Sequence, residues 1–242
     1  MNNPKHTGAD PYADLAKRTS GNRPKTGLIV IGISVGAVLI IAILALLFTG
    51  GEDEDAAAGT GAAAAQNATQ EQATVEVIGE PLPDYPAVSA VVAPAEQDPA
   101  VGMTPPTLKG ESFDGSSITI EPGGGTAKLV MFVAHWCPHC QKELPLVQEW
   151  IDAGLVPDGV EIYAVSTGVA ADRPNYPPSE WIAAEGWEPK VLLDNADQSA
   201  AAAYGLGSYP FFVLIDADGK VVQRGAGEVP ESAFVDLLDQ VA

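Results

Sequence analysis

The chain has 242 residues, 32 acidic against 12 basic side chains and a formal charge of −20, enough for one or two domains. So acidic a balance argues against nucleic acid as a partner, because backbone phosphates call for a basic face; residues 101–242 alone carry 20 acids and 7 bases. Two cysteines are too few for the disulfide framework of a small secreted domain, and a pair three positions apart closes too short a loop to staple much chain.

Residues 1–26 are polar and broken by Pro4, Pro11, Gly21 and Pro24, with Lys5, Lys17, Arg18, Arg23 and Lys25 against Asp10 and Asp14. Residues 27–48 carry no charge. As a helix they would span roughly 33 Å at 1.5 Å per residue, enough for a hydrocarbon core of about 30 Å. The run is longer than the apolar region of a signal peptide, and the small residues that could serve cleavage lie too far downstream. Bases precede the run and Glu52-Asp53-Glu54-Asp55 follows it, so the positive-inside rule places the N-terminus in the cytoplasm. The expectation is a cytoplasmic tail (1–26), one transmembrane helix (27–48) in the cell membrane, and everything beyond it extracytoplasmic.

Residues 49–97 are rich in Ala, Gly, Gln, Glu and Pro, with Tyr85 as the single aromatic. They read as a flexible acidic linker, about 35–42 Å in root-mean-square reach, in which residues 74–78 alternate enough to pair as a short edge strand. The folded domain is expected over residues 98–242. Its first feature is a β-hairpin around Phe113-Asp114-Gly115, running into Ser117-Ile118-Thr119-Ile120. Residues 127–134 follow as a strand, apolar except for Lys128, as suits a strand covered on both faces.

The next six residues, His135-Trp136-Cys137-Pro138-His139-Cys140, hold both cysteines. They close a strand and open a helix, whose Leu144, Val147 and Ile151 form an apolar stripe with Pro145 inside it, a cause of kinks. Thiols at i and i+3 across a helix start put the first sulfur in an exposed position and the second under the turn. Unpaired N–H groups and the helix dipole favour negative charge at the first. A thiolate near neutral pH is the nucleophile of disulfide exchange, and C-x-x-C beside a β-α pattern is a redox signature. Cys137 is therefore the expected attacking thiol, Cys140 the resolving one, and Cys137–Cys140 the disulfide they form. His139 between them can donate to the thiolate or place charge near it; His135 reads as structural.

Beyond the helix come a strand at 160–165, a long loop at 169–178, a helix from Ser179 carrying Trp181, Ile182 and Trp187, a strand at 190–193 and an alanine-rich helix at 198–204. A strand at 210–215, the Asp218-Gly219 turn, a partner strand at 221–224 and a helix over about 231–240 complete the chain, with Pro230 fitting a first helical turn.

Trp136-Cys137-x-x-Cys140, with Glu143 and Pro145 spaced behind it, resembles the thioredoxin superfamily, and within it the membrane-anchored TlpA/ResA-type thiol-disulfide oxidoreductases. The resemblance implies an α/β thioredoxin-like fold, a central mixed sheet flanked by helices behind an N-terminal hairpin extension. It implies a redox-active Cys137–Cys140 pair with no other cofactor and no metal. It makes Glu143 a buried acid that accepts a proton when Cys140 attacks. It makes Pro210 a cis-proline facing the cysteines, with the backbone of Tyr209 presented to substrate and Trp136 shielding the disulfide. Exported protein thiols and disulfides are the implied substrates, with a CcdA/DsbD-like membrane electron donor, or an oxidant, as redox partner.

Two departures bear on function. Pro138-His139 is similar to the DsbA-type oxidant, and Tyr209 is bulkier than the residue usual before the cis-proline. The leading expectation is a membrane-tethered disulfide reductase. A DsbA-like oxidase and a non-enzymatic copper- or metal-binding module are the alternatives; the Thr-x-x-Cys pattern of peroxiredoxins fits poorly.

Overall fold

A computed structural model describes residues 70–88 and 91–242. The expected tail and transmembrane segment, residues 1–48, lie outside them. Among the described residues no helix is long and apolar enough to cross a membrane.

Among the described residues eight strands and four α-helices follow one another as β1 (Glu76–Ile78), β2 (Thr107–Glu111), β3 (Ser117–Ile120), β4 (Ala127–Val133), α1 (Pro138–Asp152), β5 (Val160–Ser166), α2 (Pro178–Ala184), β6 (Lys190–Leu193), α3 (Ser199–Ala203), β7 (Phe211–Ile215), β8 (Val221–Ala226) and α4 (Glu231–Leu238). The main sheet has the order β6-β5-β4-β7-β8. β4, β5 and β6 run parallel, and β7 and β8 are antiparallel additions. β1, β2 and β3 form a separate antiparallel sheet.

β4 is buried along its whole length because the sheet has a core on each side. Strand periodicity sends Leu129, Met131 and Val133 to one core with Leu144, Val147 and Trp150 of α1 and Phe234 and Leu237 of α4. Val130 and Phe132 enter the other with Tyr204, Phe211 and the small sheet's Leu108 and Ile120. Lys128 is buried only because its ammonium bonds the carbonyls of Gly123 and Thr126, each at 2.9 Å. This is a thioredoxin-like α/β fold.

The described structure corrects the linker boundary expected at Asp98. The small sheet begins with Glu76–Ile78, paired antiparallel to Thr107–Lys109. Val75 and Leu82 are buried in the second core. The composition of this stretch is too poor in apolar residues to order itself; it is ordered by groups far away in sequence. Arg224 of β8, 1 % exposed, forms two bonds to Asp98 (2.6 and 2.9 Å) and reaches the carbonyls of Pro83 and Tyr204 (2.9 and 3.0 Å). Tyr85 packs edge-on against Phe211, and its hydroxyl accepts the Ala93 N–H at 2.8 Å.

Register brings the functional loops together. β7 pairs antiparallel to β4 with Phe132 opposite Phe211, so the chain leaving β4 toward Cys137 meets the chain entering β7 from Tyr209-Pro210.

Candidate active site

Cys137 is the N-cap residue of α1 in extended conformation, with Pro138 in the first turn, where proline's missing N–H and fixed φ cost nothing. Its Sγ lies 3.8 Å from the Tyr209 carbonyl oxygen, and the Tyr209–Pro210 peptide is cis. Both cysteines are thiols in this structure. Cys140 is fully buried, but Cys137 is also only 6 % exposed. That corrects the expectation of an open first sulfur: the Tyr209-Pro210 loop lies against the turn, its carbonyl on the Cys137 sulfur.

The pair is electrostatically split. The hydrogen bond from the Cys140 thiol lowers the Cys137 pKa most; burial opposes it, and the N–H groups of Cys140 and His139 and the His139 charge add to it, leaving Cys137 at about 6. Burial first, then the bond and charge of Cys137 and the charge of Glu143, push Cys140 far above an ordinary thiol. One sulfur is thus a thiolate at neutral pH and its neighbour a proton-bearing donor. That is the division of labour for a nucleophile and a resolving thiol.

Glu143 lies on the buried side of α1, one turn beyond Cys140, and is fully buried. Its Oε1 accepts the Val229 N–H at 3.0 Å; among the described residues its Oε2 has no partner. Burial raises its pKa, against the Val229 bond and with help from the Glu228 charge, to about 8. A carboxyl in that range, with one free oxygen, can hold or accept a proton near neutrality.

His139 does not use its ring on the thiolate. Nδ1 pairs with Glu228 Oε1 at 2.5 Å, and Lys142 Nζ reaches the same oxygen at 3.3 Å. Partial burial alone would raise Glu228, but the bonds from His139 and Lys142 outweigh it and hold the carboxyl below its usual range. His135 is buried, with Nδ1 2.7 Å from the Pro174 carbonyl and Nε2 accepting the Ala170 N–H at 3.1 Å, a structural link between β4 and the 169–178 loop.

The residues expected at the site, Trp136, Cys137, His139, Cys140, Glu143, Tyr209 and Pro210, converge here. Sequence reasoning missed Glu228 and Val229. The β8–α4 loop supplies a side chain to His139 from one and a backbone N–H to Glu143 from the next. No local motif marks them; only the sheet order carries that loop over α1. Arg173 was also passed over inside a long loop, although its guanidinium lies over the Trp136 ring, 5.0 Å from the centre. Among the described residues no three His, Cys, Asp or Glu side chains converge as a metal-ligand set.

A nucleophilic thiol capping a helix, a buried resolving thiol behind it and a cis-proline across from both define a thiol-disulfide oxidoreductase of the thioredoxin superfamily. The Redoxin family model matches residues 100–240. The chain is 30 % identical over 141 residues to the thiol-disulfide oxidoreductase ResA of Bacillus thuringiensis (strain Al Hakam), covering 58 % of this chain and 78 % of that protein. ResA of Geobacillus thermodenitrificans is 31 % identical over 146 residues, covering 59 % and 78 %. Among solved structures, StoA from Bacillus subtilis aligns with 24 % identity and a TM-score of 0.43, covering 63 % of this chain and 98 % of that one. The chain belongs to the Redoxin family, as a ResA-like thiol-disulfide oxidoreductase.

Proposed function

We propose that this oxidoreductase is tethered to the cell membrane by residues 27–48, with its N-terminus cytoplasmic, and reduces disulfides of exported proteins outside the cytoplasm. The observation that carries the exchange chemistry is the split between the two thiols, Cys137 drawn down to about 6 and Cys140 held protonated; the reducing direction rests on the TlpA/ResA-like pattern of Glu143 and Pro145 behind the cysteines. The Cys137 thiolate attacks one sulfur of a client disulfide, forms a mixed disulfide and releases the other client sulfur as a thiolate. Cys140 then gives its proton to the ionised Glu143 carboxylate and attacks Cys137 Sγ. The Cys137–Cys140 disulfide forms and the second client thiolate leaves. The client gains two electrons and the enzyme loses two, to be restored by a dithiol donor of the CcdA/DsbD type. Pro210 and Tyr209 frame the client chain and Trp136 shields the sulfurs; no further cofactor enters the cycle.

Trapping tests the reading. In the full chain, Cys140→Ser keeps a hydroxyl to hydrogen-bond Cys137 but cannot resolve. It should accumulate mixed disulfides with exported proteins, identifiable by mass spectrometry, while Cys137→Ser accumulates none. Equal trapping by both variants, or by neither, would sink it, as would labelling of Cys137 only by reagents that reach the cytoplasm.

A second reading, the oxidant direction, is favoured by one observation. A thiolate stabilised at about 6, partly by His139, stabilises the dithiol form and makes the disulfide more oxidising. Equilibration with glutathione separates the two. A potential close to that of thioredoxin, roughly −270 mV, fits the reductase; one near −120 mV fits the oxidant.

A further inference from the structure

A groove of about 410 Å³ has walls that include Trp136, Gly168, Arg173, Gln198 and Tyr209; Trp136 precedes Cys137 in the chain, and the Tyr209 carbonyl lies 3.8 Å from the Cys137 sulfur. Most of its polar groups are already engaged. The Trp136 indole donates to the Gly168 carbonyl at 2.7 Å, and the Tyr209 hydroxyl donates to Gln198 Oε1 at 2.9 Å. Trp136 and Tyr209 meet edge to face, with ring centres 5.8 Å apart. Gly168 has φ +60, and a Cβ there would meet the Tyr209 hydroxyl at 3.0 Å, so the wall depends on glycine. Gln198 also holds a left-handed backbone, φ 56, a conformation uncommon outside glycine and one that persists only where its surroundings enforce it.

Arg173 is the exception. It is exposed, its guanidinium lies over the Trp136 ring, 5.0 Å from the centre, and among the described residues it has no carboxylate within salt-bridge reach. Among the described residues the other arginine, Arg224, is sealed against Asp98. What the groove offers a visitor is therefore donor capacity, from the guanidinium and from the amide Nε2 of Gln198. The guanidinium is a pre-organised planar fork that matches a carboxylate and loses little freedom on pairing with one.

We infer that Arg173 is a specificity residue. The groove takes an Asp or Glu side chain of the client polypeptide, a few residues from the cysteine whose disulfide Cys137 attacks. This rests on the exchange chemistry proposed above and adds the charge of the preferred client. The preference is opposite in sign to the field of the whole molecule, whose formal charge is −20 and which repels acidic peptides at long range.

The test uses the full-length chain with Cys140→Ser and peptide disulfides identical except for Glu, Gln or Lys two residues from the cysteine. Formation of the mixed disulfide is timed for each. Exchanging Arg173→Gln should lower the Glu-to-Lys rate ratio roughly three- to five-fold, the scale of an exposed ion pair, and Arg173→Glu should lower it further. The long-range field is nearly common to these proteins and largely cancels in the comparison. A ratio that stays put in both variants overturns the assignment, as does a wild-type ratio that falls no further with Arg173→Glu than with Arg173→Gln. Failure of every peptide, whatever its charge, to couple to Cys137 would instead bring down the exchange chemistry and this inference with it.

Discussion

The Arg224–Asp98 pair and Glu143 are buried charged groups on opposite sides of the main sheet, and they are built to opposite rules. On the side of the small sheet, Arg224 and Asp98 form a two-pronged pair, and the remaining guanidinium donors find the Pro83 and Tyr204 carbonyls. On the α1 side, Glu143 keeps one oxygen without a partner among the described residues, and its pKa is driven up to about 8. A charge that is fully matched stays fixed and fastens chain segments together. A carboxyl left half satisfied is one whose proton comes and goes near neutral pH. The comparison separates buried charge used for architecture from buried charge used for chemistry.

The fastening cluster should give the largest effect when broken. Arg224→Met leaves Asp98 buried without its cation and should cost about 3–5 kcal/mol of folding stability, a large part of the ~5–15 kcal/mol typical of a domain. Urea unfolding reads this as a lower midpoint. Adding Asp98→Leu to that variant should recover most of the loss, because an apolar pair does not carry the desolvation penalty. A drop of less than about 0.5 kcal/mol, typical of an exposed site, would show that the N-terminal segment is held by something else.

Glu143 should respond in the opposite way. Its carboxyl titrates near 4.5 when unfolded and at about 8 when folded, so between those values the folded state holds one more proton. Stability then falls as pH rises through that window and levels off above it. Glu143→Gln removes this dependence, and above pH 8 the variant should gain on the wild type by a few kcal/mol at most. It should also slow release of client from the mixed disulfide, on the order of ten- to a hundredfold, for want of a proton acceptor. Parallel stability–pH curves for the two proteins would place Glu143 with the architectural charges.

Smaller effects sharpen the split between the thiols. The Cys140 hydrogen bond is the main cause of the low Cys137 pKa and the His139 charge a lesser one. Cys140→Ala should therefore raise Cys137 more than His139→Ala does, and Cys140→Ser should fall in between Cys140→Ala and the wild type. Absorbance of the thiolate near 240 nm follows all three. If His139→Ala gave the larger rise, the imidazole would have to act on the sulfur directly rather than from its place beside Glu228.

The chemistry-bearing half of this comparison was legible in the sequence because its residues are close together. A buried strand, C-x-x-C and an amphipathic helix follow within 26 residues (127–152), and local spacing alone sets which sulfur caps the helix. The cis bond before Pro210 and the burial of Glu143 came through family resemblance, since nothing local demands either. The fastening half was illegible. Arg224 and Asp98 are 126 residues apart, and residues 70–88 and 91–97 look like linker by composition because the groups that hold them lie in β2, in β8 and at the Ala203 and Gly205 carbonyls. Glu228 was hidden for the same reason: its partners His139 and Lys142 are 89 and 86 positions away. The openness of Cys137 was misjudged because spacing sets where a sulfur points but not what crosses above it.

The most direct test of the account follows alkylation of each cysteine against pH, in the reduced full-length protein, by iodoacetamide and mass spectrometry. Cys137 should react first, at a rate that climbs with pH and reaches half its plateau near pH 6, while Cys140 stays unmodified in the folded state throughout. Two thiols reacting alike with midpoints near 9, or modification of Cys140 ahead of Cys137, would contradict it.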